Sequence, residues 1–418
     1  MTVSVMLDFR FRGAPDGSVW TKTSYANAFW QRYRAVFDEV NVVARVEPRP
    51  IPPGWQRVDG AGVRVSRVPY YLGPMQYLAR LRAVRSAVRS QLRPGQAVVI
   101  RAPGQLANVS FSNLARTGYP YGLEVGGDPH EAFGRGAVRH PLRPLFRFWF
   151  TAALKQQCRR AQAVAYVTES VLQRRYPCAR YSISASDVEI SGEALSLSPK
   201  VFITSYSNVE LRDDAFVNAR PTLAAGRMAT LVFVGSLSQM YKGPDILIRA
   251  AAGCIRRRLD LRLVLIGDGK HRAGLEDYAR ANGIGARVRF LGELAAGEAV
   301  RAELDQADLF VLPSRTEGLP RAMVEAMARG LPCIGTAVGG IVELLPPEDL
   351  VPPGDAAALA ATIETCLRDP ARLQRMSRRN LAKAREYREE VLCERRIAFY
   401  RHLKEQTQAW IEERRGAP

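Results

Sequence analysis

The second half of the chain alternates short, continuous apolar runs with segments whose apolar positions recur at helical spacing. The apolar runs predict buried strands, and the segments between them predict helices that pack on those strands. The predicted strands are 229–235, 261–267, 288–292 and 308–313, and the predicted helices are 244–258, 272–282 and 298–306. This alternation is typical of a doubly wound parallel sheet, in which ligands bind beyond the carboxyl ends of the strands.

The most specified stretch follows the last of these strands, spans 317–343 and reads EGLPRAMVEAMARGLPCIGTAVGGIVE. Pro320 suits a first helical position, which places Glu317 and Gly318 at a helix N-terminus. Free backbone N–H groups at such an end favour phosphate, or sugar hydroxyls held beside phosphate. A second acid, Glu325, lies inside the predicted helix but off the stripe of residues that packs on the sheet.

Each glutamate also has an ordinary structural interpretation. Glu317 could be a first-turn acid favoured by the helix dipole, and Glu325 could pair with Arg321 and Arg329 at helical spacing. Two acids, an early proline, a following strand at 333–337 and a double glycine are together more than amphipathic packing requires. We therefore interpret the stretch as part of a binding site.

Two further loops carry candidate chemistry. The first, GSLSQMYKGPD at 235–245, places Lys242 just ahead of a helix in a chain that has only seven lysines. A compact ammonium charge suits a phosphate ligand, although a solvated surface lysine is the alternative. The second loop, IGDGKHRAG at 266–274, would need glycine in place of Arg272 to be a dinucleotide-binding fingerprint, so that interpretation fails.

Length and composition add limits of their own. A chain of 418 residues with 47% apolar residues predicts two domains of ordinary size. The six cysteines contain no C-x-x-C pair, so we expect free thiols in a reducing compartment. There is no secretory apolar region at the start and no run of 18 apolar residues, so we expect a cytoplasmic protein without a membrane span.

The positive charge is concentrated in the first half. Residues 1–210 carry 28 Arg and Lys against 14 Asp and Glu, which is +14 of the net +19. Two groups of arginines lie on or before helical segments: Arg82, Arg85 and Arg89 in a helix predicted at 77–92, and Arg139, Arg143 and Arg147 beside the aromatic cluster at 146–150. A basic, aromatic-rich helix fits an anionic membrane leaflet, and arginine-rich coding bias is the alternative. A nucleic-acid partner is less favoured, because no helix-turn-helix, finger or RRM pattern occurs.

The two glutamates separated by seven residues resemble the E-x7-E signature of the retaining family-4 (group 1) glycosyltransferases, and the resemblance extends over most of the second half. It implies an α/β protein of GT-B fold, with two Rossmann-like domains facing each other across a cleft. The implied parts are an acceptor-binding domain at 1–210, a nucleotide-sugar-binding domain at 211–395 and a C-terminal helix at 396–418 that returns to the N-terminal domain. The polar, irregular stretch 205–221 is the predicted hinge.

The resemblance also implies roles for individual residues. Glu317 would contact the hydroxyls of the donor sugar, and Glu325 would bind the ribose of the nucleotide. The backbone N–H groups of Gly318 and Leu319 would hold the sugar and the diphosphate. Lys242 would hold the diphosphate, and Lys242 and Glu317 are the predicted catalytic residues.

Other positions match the family less fully. The arginine that accompanies the lysine in the family is Ser236 here. The remaining predicted donor-binding residues are Gly17, Gly235, Gly267 and Leu291. The loop at 13–19 that carries Gly17 is expected to lead from the first strand into a helix that begins near Tyr25. A histidine of the family's N-terminal domain corresponds to glycine within 121–130, and Asp128 and His130 are the acceptor-side candidates there. An Asp before Pro is also a plain turn former.

No D-x-D motif occurs, so no metal is predicted on the diphosphate, and the charge on the leaving group would be met by Lys242 and helix N-termini. The resemblance implies retention of anomeric configuration without a cofactor. We expect a UDP- or GDP-sugar as donor and a lipid-linked, saccharide or small-molecule hydroxyl acceptor, in polysaccharide or glycoconjugate synthesis at the inner face of a membrane. The alternatives are transfer to a small natural product, an epimerase or phosphorylase of the same fold, and a non-catalytic nucleotide-sugar-binding protein.

Overall fold

The computed structural model describes residues 1–134, 140–178, 202–205, 211–219, 227–295 and 297–415. The chain divides into two compact units. The first unit comprises Met1–Gly127, Phe148–Tyr206 and Cys393–Pro418, and the second comprises Asp128–Arg147 and Ser207–Leu392. The domain boundaries expected from the sequence stay a prediction.

The elements of the described residues alternate as the apolar pattern predicts. The strands are β1 (Thr2–Gly13), β2 (Val19–Thr21), β3 (Glu39–Pro48), β4 (Gln56–Arg57), β5 (Val63–Val68), β6 (Ala97–Ala102), β7 (Gly122–Val125), β8 (Ala163–Tyr166), β9 (Phe202–Ser205), β10 (Ala229–Val234), β11 (Leu261–Ile266), β12 (Val288–Gly292), β13 (Leu309–Leu312), β14 (Cys333–Thr336) and β15 (Leu350–Val351). The helices are α1 (Asn27–Arg34), α2 (Gly73–Ala79), α3 (Leu81–Gln91), α4 (Gln105–Thr117), α5 (Pro129–Ala132), α6 (Arg143–Arg160), α7 (Val171–Arg175), α8 (Pro244–Arg256), α9 (Arg272–Ala281), α10 (Glu298–Asp305), α11 (Arg321–Ala328), α12 (Ile341–Leu344), α13 (Ala356–Arg368), α14 (Pro370–Arg385) and α15 (Glu389–Arg415).

The first unit is built on a sheet whose parallel strands run β5-β3-β1-β6-β7-β8-β9, with β2 antiparallel to the end of β1 and β4 antiparallel to β2. The last helix, α15, completes this unit from Cys393 onward. Its Tyr400 stacks on Tyr33 at 4.7 Å between ring centroids and donates a hydrogen bond to buried Glu124 at 3.2 Å. Tyr33 and Arg101 donate to the same carboxylate, so one buried acid joins a strand, α1 and α15.

The second unit contains a six-stranded parallel sheet in the order β12-β11-β10-β13-β14-β15. The chain moves outward from β10 in one direction and then returns to its other side at β13. The point between β10 and β13 is therefore the topological switch, where doubly wound sheets bind their ligands. Both units have the Rossmann-like layering of the GT-B fold, which confirms the predicted fold class.

The structure corrects three local predictions. The helix predicted at 77–92 is two helices, because Arg80 leaves helical geometry (φ −106°, ψ 9°) at a point that no glycine or proline marks. Pro320 is extended (φ −76°, ψ 104°) and precedes α11 instead of occupying its first position. The loop that carries Gly17 joins two antiparallel strands, so it is a hairpin turn and not a strand-to-helix turn. Residues 206–210 and 220–221 of the predicted hinge at 205–221, and Arg139, lie outside the described residues.

The cysteines and the apolar character of the helices bear on the environment expected for the protein. All six cysteines are unbridged, and five of them are buried. Burial raises the pKa of the Cys158 thiol to about 12, so this side chain is a packing group and not a nucleophile. Among the described helices, none combines the length and apolar character needed to cross a membrane.

Candidate active site

The loops that follow β10 and β13 meet at the switch point of the second unit. These strands pair in parallel, with Leu231 opposite Leu309, so their carboxyl ends lie side by side. The first loop ends in a 3-10 turn, Met240–Lys242, ahead of α8. Gly243 has φ +73°, and a Cβ there would lie 2.1 Å from the carbonyl oxygen of Pro313. Only glycine lets the lysine loop come this close to the end of β13.

Lys242 and Glu317, predicted from separate motifs, form an ion pair. The Nζ of Lys242 lies 2.5 Å from Oε1 of Glu317, and the same oxygen accepts a hydrogen bond from Ser314 Oγ at 2.7 Å. Glu317 is only 8% exposed, so it is not the solvated first-turn acid of the ordinary interpretation. The pair places a cation and a carboxylate acceptor together at the switch point.

Arg315 links the two loops and was not among the residues predicted from the sequence. Its guanidinium binds both carboxylate oxygens of Asp245, at 3.0 and 2.6 Å, and donates to the carbonyl of Met240 at 2.6 Å. Its backbone N–H donates to the carbonyl of Tyr241, also at 2.6 Å. The forked guanidinium thus fixes the turn that carries Lys242 against the loop that carries Glu317. Arg315 lies in a predicted loop, where the residue pattern carries no periodicity from which its contact with Asp245 could be inferred.

The double glycine, Gly339 and Gly340, packs against the loop that carries Glu317. Gly339 has φ +48°, and a Cβ there would lie 1.9 Å from the carbonyl oxygen of Glu317. The N–H of Gly340 donates to the carbonyl of Gly318 at 2.6 Å. The backbone N–H groups of Gly318 and Leu319 donate to no group in the described parts of the chain. They precede α11 and are therefore donors that an anionic or hydroxyl ligand can use.

Glu325 lies eight positions after Glu317, in α11. Its side chain is 33% exposed, and its Oε1 lies 3.7 Å from a guanidinium nitrogen of Arg321. Arg329, the other predicted partner, instead pairs with Asp305 at 2.6 Å. Burial raises the pKa of Glu325, and the charge of Arg321 opposes that rise. One of the two expected helical pairs therefore forms, at a distance that leaves the carboxylate able to accept further hydrogen bonds.

The other donor-side candidates of the second unit lie in the loops beside these. Gly235 donates its N–H to Ile266 at 2.9 Å, and Gly267 donates to Gly292 at 2.8 Å, so the ends of β10, β11 and β12 are joined in sequence. Ser236 Oγ accepts the N–H of Ser238 at 3.2 Å and caps its own turn. Leu291 is the extra residue at a register shift in β12, between the paired Phe290 and Gly292.

The acceptor-side candidates lie on a different segment. Asp128 is buried and accepts the N–H of His130 at 2.9 Å, which caps the short helix α5. Arg147 donates to the carbonyl of His130 at 3.0 Å, and its guanidinium also lies 2.6 Å from the imidazole Nε2. The turn-forming interpretation of Asp128 is thus realised, and an acceptor role for either residue stays a prediction.

Gly17 belongs to the first unit, at the turn between β1 and β2. It has φ +91°, and its carbonyl accepts a hydrogen bond from Arg67 at 2.7 Å. This geometry is that of an ordinary hairpin turn. Its predicted part in donor binding also stays a prediction.

The second unit as described can hold an anionic ligand without a metal cluster. No group of three or more His, Cys, Asp or Glu side chains in the described residues could hold a metal ion. The switch point offers one ammonium group, two backbone N–H groups and two carboxylates with different surroundings. Cation and N–H donors suit a diphosphate, and carboxylates suit the hydroxyls of a sugar and a ribose.

The chain is similar to known proteins. Residues 229–369 match the family described as glycosyl transferases group 1. The chain is 25% identical over 343 residues to the 2-deoxystreptamine glucosyltransferase of Streptomyces kanamyceticus, covering 80% of this chain and 81% of that protein.

Two solved structures have a similar fold across nearly the whole chain. A sucrose-phosphate synthase from Thermosynechococcus elongatus has a TM-score of 0.68 and 18% identity, covering 96% of this chain and 99% of that chain. Anabaena HepE in complex with UDP-glucose has a TM-score of 0.60 and 18% identity, covering 98% of this chain and 100% of that chain.

Proposed function

The chain belongs to the group 1 glycosyltransferases, and from this premise we propose that it transfers a hexose-type sugar, with retention, from a nucleoside diphosphate sugar to a hydroxyl acceptor. The observation that carries the proposal is the Lys242–Glu317 pair at the switch point, 2.5 Å apart. A cation beside a sugar-binding carboxylate is what a donor with a diphosphate on its anomeric carbon requires. A UDP-sugar is the proposed donor, because the similar HepE structure contains UDP-glucose.

Each part of the donor has a proposed partner. Lys242 and the N–H groups of Gly318 and Leu319 hold the diphosphate. Glu317 accepts hydrogen bonds from the sugar hydroxyls, and Glu325 accepts them from the ribose. Ser236 stands where the family carries an arginine, so the diphosphate is bound by fewer fixed charges in this loop.

The reaction needs no nucleophile from the enzyme. The bond from the anomeric carbon to the diphosphate oxygen breaks, and the acceptor oxygen forms its bond on the same face of the sugar. The acceptor proton passes to the departing diphosphate, so atoms and charge balance. The lysine and the helix-start N–H groups stabilise the negative charge that develops on the leaving oxygen, without a metal ion.

The acceptor is proposed to be lipid-linked or saccharide, in polysaccharide or glycoconjugate synthesis at the cytoplasmic face of a membrane. The basic first half of the chain supports this class. A small natural-product acceptor is the second candidate, supported by the likeness to the 2-deoxystreptamine glucosyltransferase. Asp128 and His130 remain the proposed acceptor-side residues.

A thermal-shift panel of nucleotides and nucleotide sugars tests the donor. A ligand at 100 times its Kd adds about 2.7 kcal/mol to stability, so UDP- and GDP-sugars separate clearly. Glycosyl transfer and donor hydrolysis are then measured for the wild type and for Glu317→Ala. We expect turnover by the wild type and a product of the same anomeric configuration as the donor. No turnover with any acceptor would instead support a non-catalytic binding protein, and turnover that needs phosphate or no acceptor would support a phosphorylase or epimerase.

A further inference from the structure

A groove of about 650 Å³ lies on the first unit, between α3 and α4 and beside Trp149 of α6. It involves no residue of the proposed donor site. Val84 and Val88 bury one face of α3 in the core, and the opposite face lines the groove. The side-chain amide of Gln157 in α6 donates a hydrogen bond to the amide oxygen of Asn108 in α4, at 2.8 Å.

Four arginines give the groove its charge. Arg82, Arg85 and Arg89 extend along the exposed face of α3, and Arg116 faces them from α4. None of the four forms an ion pair with any residue that the structure describes. The sequence from 60 to 123 contains nine arginines and no Asp or Glu. The helices α3 and α4 lie within this stretch, so they supply no carboxylate that could neutralise the arginines of the groove. Unpaired guanidinium groups of this kind suit phosphate oxygens.

Large apolar side chains stand exposed in the groove and at residues close in sequence to those that line it. Leu78 and Trp149 line the groove and are 59% and 44% exposed, and their neighbours Met75 and Phe148 are 76% and 74% exposed. A soluble polyanion would bind the arginines and leave these side chains in water. A bilayer accepts both, because the apolar groups enter the acyl boundary while the arginines remain at the level of the lipid phosphates.

We propose that this face, defined by α2, α3, Arg116 and Phe148–Trp149, docks on an anionic phospholipid bilayer, with lipid phosphates bound in the arginine groove. The surface combines a basic groove with protruding apolar groups, which is the combination that holds peripheral proteins at anionic leaflets. The inference goes beyond the donor chemistry, because it depends on no residue of the second unit.

Vesicle flotation of the full chain tests the proposal. We expect binding to vesicles that contain phosphatidylglycerol, no binding to pure phosphatidylcholine, and weakening as salt shortens the range of the charges. Each basic side chain near an anionic leaflet contributes about fivefold in affinity, so Arg82→Gln, Arg85→Gln and Arg89→Gln together should weaken binding on the order of 100-fold. A matched triple variant, Arg256→Gln, Arg258→Gln and Arg378→Gln, removes the same charge from exposed positions of the second unit and should bind like the wild type.

A second variant separates the apolar contribution. Met75→Gln with Phe148→Gln keeps every charge, and we expect it to lose the part of the binding that survives high salt. Equal loss in both arginine triples would mean that net charge alone governs binding, and it would overturn the docking face. Binding to RNA or polyphosphate but not to vesicles would overturn it as well.

The experiments can overturn the proposed docking face and the proposed donor site independently. The α3 triple variant should retain the thermal shift with nucleotide sugars while it loses the vesicles. A chain that binds vesicles but no nucleotide sugar would overturn only the proposed function.

Discussion

At the scale of single residues, Lys242 has a partner before any donor binds. Lys242→Ala removes the proposed diphosphate cation and leaves the buried Glu317 carboxylate with Ser314 as its one side-chain partner among the residues that the structure describes. We expect kcat to fall on the order of 10²–10³-fold, which is the usual cost of losing one preorganised donor to a developing oxyanion. Steady-state kinetics with saturating donor measure this.

The matched control is Lys155→Ala, an exposed lysine of α6 in the first unit. It should leave kcat unchanged. Circular dichroism of both variants checks that the fold persists. An unchanged kcat in the Lys242 variant would remove this lysine from the proposed mechanism.

We expect nucleotide binding to depend on pH through the carboxyl group of Glu325. Burial raises the pKa of this carboxyl above its ordinary value, so it takes up a proton at a higher pH than an exposed glutamate does. Its raised pKa in the folded state also means that its cost to stability is present above that pKa and is relieved as the pH falls through it. The protonated form has lost acceptor capacity for the ribose hydroxyls. As the pH falls, nucleotide affinity should therefore begin to weaken at a higher pH than it would if the pKa of this carboxyl were that of an exposed glutamate.

Titration calorimetry with the nucleotide, from about pH 8 down to about pH 5, measures the acid limb. Glu325→Gln cannot titrate and should lack that limb, with weaker binding across the range. The same acid limb in both proteins would assign the pH dependence to another group.

Sequence reasoning reached these side chains but not their mutual arrangement. Glu317, Glu325 and Lys242 could be singled out because their residue types stand at marked points of a periodic pattern. That Lys242 and Glu317 pair with each other depends on the order of strands in the sheet, which brings loops 75 positions apart to one edge. Ser314 and Arg315 carry no such signal, since a serine and an arginine in a loop are ordinary residues until the opposing loop is known.

At the scale of elements, Arg315 links the turn after β10 to the loop after β13. Arg315→Lys keeps the charge but cannot bind both oxygens of Asp245, so the turn that carries Lys242 loses its fixed position. We expect kcat/KM to fall about tenfold, equivalent to about 1.4 kcal/mol of transition-state stabilisation. Kinetics with the nucleotide sugar measure the loss.

Asp245→Asn should give a similar loss, because it breaks the same forked pair from the other side. Arg315→Lys combined with Asp245→Asn should cost little more than either change alone, as residues that act as a unit are not additive. Fully additive losses would mean that the two side chains act separately.

The secondary-structure elements were predicted better than the contacts between residues or the order of the strands. The five strands predicted in the second unit, β10 to β14, are within a residue or two of their expected bounds, because continuous apolar runs between turn residues leave few alternatives. The two-residue strand β15 was not predicted. The helix expected at 77–92 failed at Arg80, where the chain leaves helical geometry without a glycine, a proline or a change of pattern. The strand order of either sheet was not predictable from periodicity, since it is set by contacts between segments far apart in the chain.

At the scale of the whole molecule, the last helix belongs to the first unit. Phe399, Tyr400 and Leu403 of α15 are fully buried, and a Cβ at Gly122 of β7 would lie 2.9 Å from both Phe399 and Leu403. Each such side chain contributes about 1.5–3 kcal/mol when buried. Removal of residues 393–418 should therefore abolish the unfolding transition of the first unit.

Scanning calorimetry with and without nucleotide distinguishes the two units. The transition that the nucleotide shifts should survive the truncation, since the proposed nucleotide site lies in the second unit. Arg401→Ala, an exposed change in the same helix, is the control and should leave both transitions in place. Loss of both transitions in the truncated chain would contradict this assignment.

The division of the first unit between the start and the end of the chain also bears on its biosynthesis. Most of the second unit is one continuous stretch, Ser207–Leu392, whereas the first unit needs residues from Cys393 onward. A ribosome must therefore synthesise all of the second unit before the N-terminal sheet receives its last helix. A chain that ends at residue 392 and has left the ribosome should contain a protease-resistant second unit and a sensitive first one. The part synthesised first would then be the part that matures last, which reverses the usual N-to-C order of cotranslational folding.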